Sequence, residues 1–429
     1  MSTQVIRPAR NFQGSVTLPG DKSISHRYAM LAGLAEGTTR LSNFSTGADP
    51  YSSLACMAAL GATVNHKSDQ SIEITGTAGH FIQPEHPLDC GNSGSTMRML
   101  AGLLAGQQVA CTLVGDESLS RRPMRRVIEP LVQMGADISG AANGFPPLRL
   151  APGGRLKGVQ HRLAVASAQV KTALLFAGLA ADGRTSVEEP LRTRDHGELA
   201  LRSFGAEVTR SRNLISIDGG QALRAIEAYV PGDISSAAFF LCAVAILPGS
   251  SLLLDDVLLN PTRAVLLDVL AGMGMPISMI KVEESHGELV GTIKAEHGRL
   301  RGARIAGAQS AALIDELPVL AAIAPYTREG IEIRDARELR VKESDRIAVV
   351  AENLRRMGAT VEEFEDGLRV PGAQPLHGAA LDAAGDHRIA MAFSIAALGA
   401  EGETTIRGAE SASISFPEFF ATLDRLVER

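Results

Sequence analysis

The sequence predicts an α/β protein of two lobes, each built from three copies of one unit, with buried parallel helices inside and sheets outside. Three observations carry that reading. A glycine-centred octapeptide recurs as "MAALGATV" at 57–64, "LVQMGADI" at 131–138, "LRSFGAEV" at 201–208, "LAGMGMPI" at 270–277 and "LRRMGATV" at 354–361. Segments that are apolar nearly all round alternate with these repeats. Finally, "LPGDKSISHRYAMLAGLAEGTTRLSNF" from Leu18 matches "VPGDISSAAFFLCAVAILPGSSLLLDDV" from Val230, 212 residues later.

The aligned glycines, Gly61, Gly135, Gly205, Gly274 and Gly358, are spaced by 74, 70, 69 and 84 residues. Recurrence at a near-fixed period marks a repeated supersecondary unit. Each copy reads as an amphipathic helix, a glycine C-cap and a β-branched strand. The final "PEFFATLDRLVER" supplies a sixth such helix. The second helix of each unit is of another kind. After "YAMLAGLAEG" come "STMRMLAGLLAG" (95–106), "AQVKTALLFAGLAA" (168–181), "AAFFLCAVAIL" (237–247), "IDELPVLAAIA" (314–324) and "HRIAMAFSIAALGA" (387–400). A helix apolar on every side is buried, and alanine and glycine let neighbouring backbones approach. Short strands such as "GTTRLSNF" and "GETTIRGAE" follow these helices. The Pro-Gly pairs at 19–20 and 231–232 are turns that suit a hinge. The expected division is a lobe of residues 21–231 and a discontinuous lobe of 1–20 with 232–429.

A chain of 429 residues exceeds one ordinary domain. Its formal charge of −6 argues against a nucleic-acid surface, but an anionic small molecule fits if basic residues are concentrated locally. Cys56, Cys90, Cys111 and Cys242 sit in unrelated contexts without a CxxC pair, as reduced, buried thiols of a cytosolic protein do. The ten histidines lack metal-ligand spacing, so no metal is expected. "MSTQVIRPARNFQG" holds no apolar signal region, and no apolar run reaches the roughly 20 residues of a membrane span. A cytoplasmic protein with no membrane or nucleic-acid partner is expected.

The chemistry is concentrated where the buried helices begin. Their entry loops read "GDKSISHR", "DCGNSGSTMR", "VASAQVK", "GDISSAA", "SAALIDE" and "GDHR". One such loop is explained by capping, with Asp21 or Ser23 as N-cap. Six with recurring serine, glutamine and basic side chains favour anion sites, because helix N-termini carry free N–H groups and positive partial charge. Arginine's planar fork suits carboxylate and phosphate, and Arg122, Arg346 and Arg388 supply three forks. Arg98 serves equally as a ligand contact or as a brace for its loop.

"LPGDKSISHR", "GNSGSTMR", "SRRPM", "VASAQVKTALLFAGL", "LIDELPVLA", "LRVKESDR" and "GDHRIAMAF" occur in order along the whole chain and resemble the 5-enolpyruvylshikimate-3-phosphate (EPSP) synthase family. The resemblance implies the enolpyruvyl transferase fold of two three-unit lobes. It implies transfer of the enolpyruvyl group of phosphoenolpyruvate to the 5-hydroxyl of shikimate-3-phosphate, through a tetrahedral intermediate, with loss of phosphate and without metal or cofactor. For shikimate-3-phosphate it implies Lys22, Ser23, Arg27, Ser167, Ala168, Gln169, Arg194, Asp315 and Lys342. For phosphoenolpyruvate it implies Lys22, Gly94, Arg122, Gln169, Lys342, Arg346 and Arg388. The herbicide glyphosate is the expected inhibitor at the phosphoenolpyruvate position, and the chain is expected to be a monomer. Asp315, read at the start of an apolar helix, is the expected base. Glu343 and Lys22 form the acid group, either of them able to supply the proton to carbon.

Two departures from the family stand out. Ile414 in "SISFPEFF" replaces a lysine that some members place there. "RRPM", "TRDH" and "VKESDR" match a glyphosate-tolerant branch, which has alanine where this chain has Gly94. The nearest rival is the sister transferase acting on UDP-N-acetylglucosamine, but its loop cysteine is absent around "SLSRRPMRR". A non-enzymatic phosphometabolite binder would keep Lys22 and Arg122 and need neither Asp315 nor Glu343.

Overall fold

In the computed structural model, which describes residues 2–67 and 70–429, the repeated unit is a strand, a buried helix, a second strand, an outer helix and a hairpin. The unit that contains Leu88–Asp89, Gly94–Leu104, Cys111–Val114, Arg125–Gln133, Ile138–Ser139 and Leu148–Leu150 illustrates it. The strands on either side of the buried helix pair in parallel, and the hairpin adds antiparallel. The same order, parallel pair then antiparallel hairpin, builds the sheets around Thr38–Ser42, Arg184–Glu188 and Ile331–Ile333.

The five aligned glycines all adopt a left-handed backbone, with φ between 93° and 108°. An L side chain is strained there, which is why the outer helix stops on glycine before turning into its strand. The outer helices are amphipathic. The inner ones are buried along nearly their whole length, Ile234–Ile246 at every position. Close approach depends on missing side chains: a Cβ on Gly102 would stand 2.0 Å from the carbonyl oxygen of Ala173, so Gly94–Leu104 and Ala168–Leu179 meet backbone to backbone.

The chain divides into two compact units, one of Met1–Pro19, Pro231–Glu284 and Leu289–Arg429, the other of Gly20–Val230 with Ser285–Glu288. The first unit is completed by the N-terminal strands. Thr3–Ile6 pairs antiparallel with Thr404–Arg407, and Asn11–Thr17 lies parallel to Ser251–Leu258. Phe12 stacks on Phe240 at 5.9 Å, within an aromatic cluster that includes Phe239, Phe416 and Phe419. In the second unit Glu227–Tyr229 closes the sheet of the first repeat. Ser285–Glu288, a hairpin turn that no sequence signal marks, groups with this unit because buried Glu288 bonds His196 Nδ1 at 2.6 Å.

The sequence reading needs two local corrections. Residues 314–324 are not one helix: Ala308–Ala312 and Leu317–Ile323 are separated by a turn, and a 3-10 turn follows at Ala324–Tyr326. Pro318 in the first turn of Leu317–Ile323 cannot donate a backbone hydrogen bond to the preceding turn, so the helix restarts there. The cysteine contexts are also not all unrelated. The buried thiols of Cys56 and Cys90 face each other, which with burial pushes Cys90 well above the usual range. No helix among the described residues is long and apolar enough to cross a membrane.

Gly102→Ala is expected to destabilise the Gly20–Val230 unit by about 3 kcal/mol, the upper end for an overpacked core, since the obstacle is backbone. The check is the urea midpoint followed by circular dichroism.

Candidate active site

In the Gly20–Val230 unit, Asp21 caps Lys22–Leu34 by accepting from Ile24 N at 2.9 Å. The capping role thus falls to Asp21, leaving Lys22, Ser23 and Arg27 for other partners. Lys22 Nζ donates to Asp49 Oδ2 at 3.0 Å. Arg27 donates from Nη1 to the Ser23 carbonyl at 2.8 Å and from Nη2 to Thr172 Oγ1 at 3.0 Å, while its buried Nε has no hydrogen-bond partner. Burial lowers the Arg27 pKa to about 10; Glu198 and Asp21 oppose that shift, and the like charge of Arg194 adds to it. The like charge of Arg194 acting on Arg27 is a repulsion that a bound anion relieves.

Ser93 and Ser167 cap the other two inner helices of this unit. Neither brings a negative charge, so the dipoles of these two helices remain available to a ligand. Gln169 is held at both ends of its amide: Arg98 Nη1 donates to its Oε1 at 2.7 Å, and its Nε2 donates to Ser95 Oγ at 2.8 Å. Arg98 therefore braces Gln169. Arg122 reaches the Asn92 carbonyl at 3.2 Å and Asn92 Oδ1 at 2.7 Å, and a Cβ on Gly94 would lie 3.7 Å from its Nη1.

His26 joins these starts from beneath. Its Nδ1 lies 2.7 Å from Ser53 Oγ and 3.4 Å from Thr96 Oγ1, and its Nε2 lies 3.5 Å from Ser93 Oγ. Burial first, then Lys22 and Arg27, hold its pKa well below the ordinary value, with Asp21 opposing. It is a neutral hydrogen-bonding node.

The other unit holds a second cluster. Arg346, 1% exposed, donates from Nε to Asp386 Oδ2 at 2.8 Å and from Nη2 to Glu343 Oε2 at 2.7 Å. Its Nη1 lies 3.5 Å from Asp315 Oδ1 without a hydrogen bond. Burial works against its charge, yet Asp386, Glu343 and Asp315 together hold it more firmly protonated than free arginine. Lys342 Nζ lies 3.9 Å from Asp315 Oδ1. Arg388 Nη1 donates to the Asp315 carbonyl at 3.1 Å and lies 3.6 Å from Glu316 Oε1. Glu316 in turn accepts from Ser235, which Arg263 Nη2 reaches at 2.6 Å.

Asp315, read from sequence as beginning a helix, sits in the turn before Leu317–Ile323, whose N-cap is Glu316. Its carboxylate turns toward Lys342 and Arg346 instead of capping. The expectation that several inner-helix dipoles face a ligand also needs correction. Asp21, Asp233 and Asp386 cap three inner helices and satisfy them internally.

The structure thus gathers Lys22, Ser23, Arg27, Gly94, Arg122, Ser167, Ala168, Gln169 and Arg194 in one unit, and Asp315, Lys342, Glu343, Arg346 and Arg388 in the other. Sequence reasoning passed over Asp49, Glu316 and Asp386. Asp386 was visible in "GDHR", but its bidentate grip on Arg346 spans 40 residues and leaves no local pattern.

A profile of the EPSP synthase (3-phosphoshikimate 1-carboxyvinyltransferase) family matches residues 6–423. The 3-phosphoshikimate 1-carboxyvinyltransferase of Koribacter versatilis is 61% identical over 429 residues, covering 100% of both chains. An EPSP synthase structure from Acinetobacter baumannii superposes with a TM-score of 0.88 at 39% identity, covering 99% of this chain and 98% of its own. The enolpyruvyl transferase NikO of Streptomyces tendae gives 0.79 at 20% identity, covering 98% and 96%, a likeness of fold.

The buried neutral His26 predicts a pH effect. An unfolded histidine takes a proton as pH falls through about 6.5 and the folded one does not, so its contribution is present above that value and lost below it. The stability difference between the parent and His26→Asn should narrow by up to about 1.4 kcal/mol from pH 7.5 to 5.5. Urea titrations at both pH values check this.

Proposed function

The chain belongs to the EPSP synthase family, and from that premise we propose how its residues transfer the enolpyruvyl group of phosphoenolpyruvate to the 5-hydroxyl of shikimate-3-phosphate. The family reaction itself serves the shikimate pathway and aromatic amino-acid biosynthesis. The residue assignments are our reading, and the cluster around Arg346 carries them.

Lys22, Ser23, Arg27, Ser167, Ala168, Gln169 and Arg194 hold shikimate-3-phosphate, with Asp315 and Lys342. The like-charged pair Arg27 and Arg194 supports the phosphate role, because a dianion relieves their repulsion. Lys22, Gly94, Arg122, Gln169, Lys342, Arg346 and Arg388 hold phosphoenolpyruvate. Arg346 Nη1 and Arg388 Nε are buried and make no hydrogen bond among the described residues, which supports them as donors to its oxygens.

Asp315 is the base for the 5-hydroxyl. It is 17% exposed at its side chain and is not used up as a cap. Glu343 shares Arg346 with Asp386 and Asp315. When a substrate oxygen takes part of that guanidinium's charge, Glu343 gains proton affinity and can deliver a proton to the methylene carbon, with Lys22 as the alternative donor. On elimination one of the three methyl protons is taken back, phosphate leaves from C2, and the proton that Asp315 took from the hydroxyl departs with it. The protein acts as a monomer in the cytoplasm, with glyphosate competing for the phosphoenolpyruvate position.

Asp315→Ala should lower turnover by roughly 10²–10⁴-fold while leaving shikimate-3-phosphate binding nearly intact. Phosphate release gives the first quantity and calorimetry the second. Turnover within tenfold of the parent would remove Asp315 as the base.

Gly94→Ala places a Cβ 2.7 Å from Arg98 Nη1, which is itself held by Gln169. Glyphosate is longer than phosphoenolpyruvate and should be crowded more. Its inhibition constant should rise at least about tenfold, a middle value for overpacking, and the KM for phosphoenolpyruvate less. The parent should be glyphosate-sensitive; a parent resisting millimolar glyphosate would assign tolerance to other positions.

A further inference from the structure

We infer that Lys171, which belongs to neither substrate-contact set, is a positioning residue that fixes Arg194 for shikimate-3-phosphate. This rests on the reading above, in which Arg194 touches that substrate. Lys171 lies two residues beyond Gln169 on Ala168–Leu179, a helix whose other buried side chains are apolar or hydroxyl. A fully buried ammonium in such a helix costs several kcal/mol unless it is paired. It is paired twice, at 2.9 Å from Glu198 Oε1 and 3.1 Å from Glu189 Oε2. Arg210 Nη2 reaches the same two oxygens at 3.3 and 2.9 Å, so two cations answer two carboxylates.

Those carboxylates bracket the segment that carries Arg194. Glu189 follows the strand Arg184–Glu188, and Glu198 lies in the first turn of His196–Ser203. Residues 190–195 between them form no helix or strand. What shapes the segment is side-chain bonding: Glu189 Oε1 accepts from Thr193 N at 3.2 Å and from the Thr193 hydroxyl, and Arg192 pairs with Asp195 at 2.9 Å. The same Glu189 carboxylate that Lys171 grips therefore holds the residue immediately before Arg194.

The grip is connected to the substrate side through the same helix. A Cβ on Gly197 would stand 2.5 Å from Thr172 Oγ1, so His196–Ser203 rests directly on the turn containing Lys171. Thr172 Oγ1 also takes a hydrogen bond from Arg27 and donates one to the Ala168 carbonyl. Lys171 thus sets the Arg194 segment against the frame that holds Arg27 and Gln169.

The test is a double-mutant cycle on the full chain, measuring kcat and both KM values for the parent, Arg194→Ala, Lys171→Met and the combination. Loss of a charge-assisted contact to phosphate predicts that Arg194→Ala raises the KM for shikimate-3-phosphate at least about tenfold. Lys171→Met should raise it comparably, with kcat and the KM for phosphoenolpyruvate within about threefold, and the combination should be no worse than either alone, as for two residues acting through one contact. If Lys171→Met fails to fold with two carboxylates facing Arg210, Lys171→Met with Glu198→Gln restores neutrality and should give the same profile. An unchanged KM for shikimate-3-phosphate in the Lys171 variants, a parallel rise in both KM values, or multiplying factors would overturn the inference alone. An unchanged KM in Arg194→Ala would overturn the assignment of Arg194, and the inference with it.

Discussion

Arg346, Arg388, Lys22 and Lys171 are each matched by a carboxylate, whereas Arg27 is hydrogen-bonded to neutral oxygens, and much else in the molecule follows from that division. Arg346 has Asp386 and Glu343, Arg388 has Glu316, Lys22 has Asp49, and Lys171 has Glu189 and Glu198. An unpaired charge at such depth costs several kcal/mol, more than most single contacts return. The acids must therefore come from elements the fold brings within about 4 Å of these cations. The helix bodies cannot supply the site, because close packing through residues such as Gly102 keeps them apolar. The charged groups of the inner helices stand in their first two turns and the loops before them. The repeat then sets where the chemistry stands, by producing one such start per unit.

Capping and ligand binding compete at those starts. An aspartate N-cap satisfies a free N–H and places a negative charge on the dipole's positive end. Asp21, Asp233 and Asp386 do this. Asp386 goes further, because the oxygen that accepts from Arg388 N also lies 3.2 Å from Arg346 Nη2. One carboxylate caps a helix and holds a guanidinium. The serine caps at Ser93 and Ser167 stabilise their helices without adding charge. The Gly94 and Gln169 loops thereby stay positive.

The sequence made the repeated unit legible because its signals are local. Helical periodicity, a glycine needing positive φ and a following strand all lie within a dozen or so residues, a span that pattern reading captures well. The family motifs made the substrate side chains legible for the same reason. What the sequence hid is the pairing of residues far apart in the chain. Lys22 with Asp49, Arg346 with Asp386 and Lys171 with Glu198 are separated by 27, 40 and 27 residues. Each acid alone reads as an ordinary solvated charge. The helix start at Asp315 is a local ambiguity: an apolar run with an acid at its head looks like a capped helix, but with Pro318 in its first turn the helix starts at Leu317 and the carboxylate faces Lys342 and Arg346. The turn Ser285–Glu288 carried no signal, because its role depends on His196, 92 residues from Glu288.

In the proposed reaction, the carboxylates that neutralise Arg346 also give the site a means of moving a proton. With Arg346 shared among Asp386, Glu343 and Asp315, an anion that binds its Nη1 edge draws on charge already divided three ways. Asp386 is fully buried and bonded through both oxygens, so it yields least. Glu343, 14% exposed at its side chain, yields more than Asp386. In that proposal the proton affinity freed by an arriving anion falls on Glu343 ahead of the fully buried Asp386. A site with unmatched cations would bind the anions more tightly. It would also leave no carboxylate whose affinity for a proton rises as they arrive.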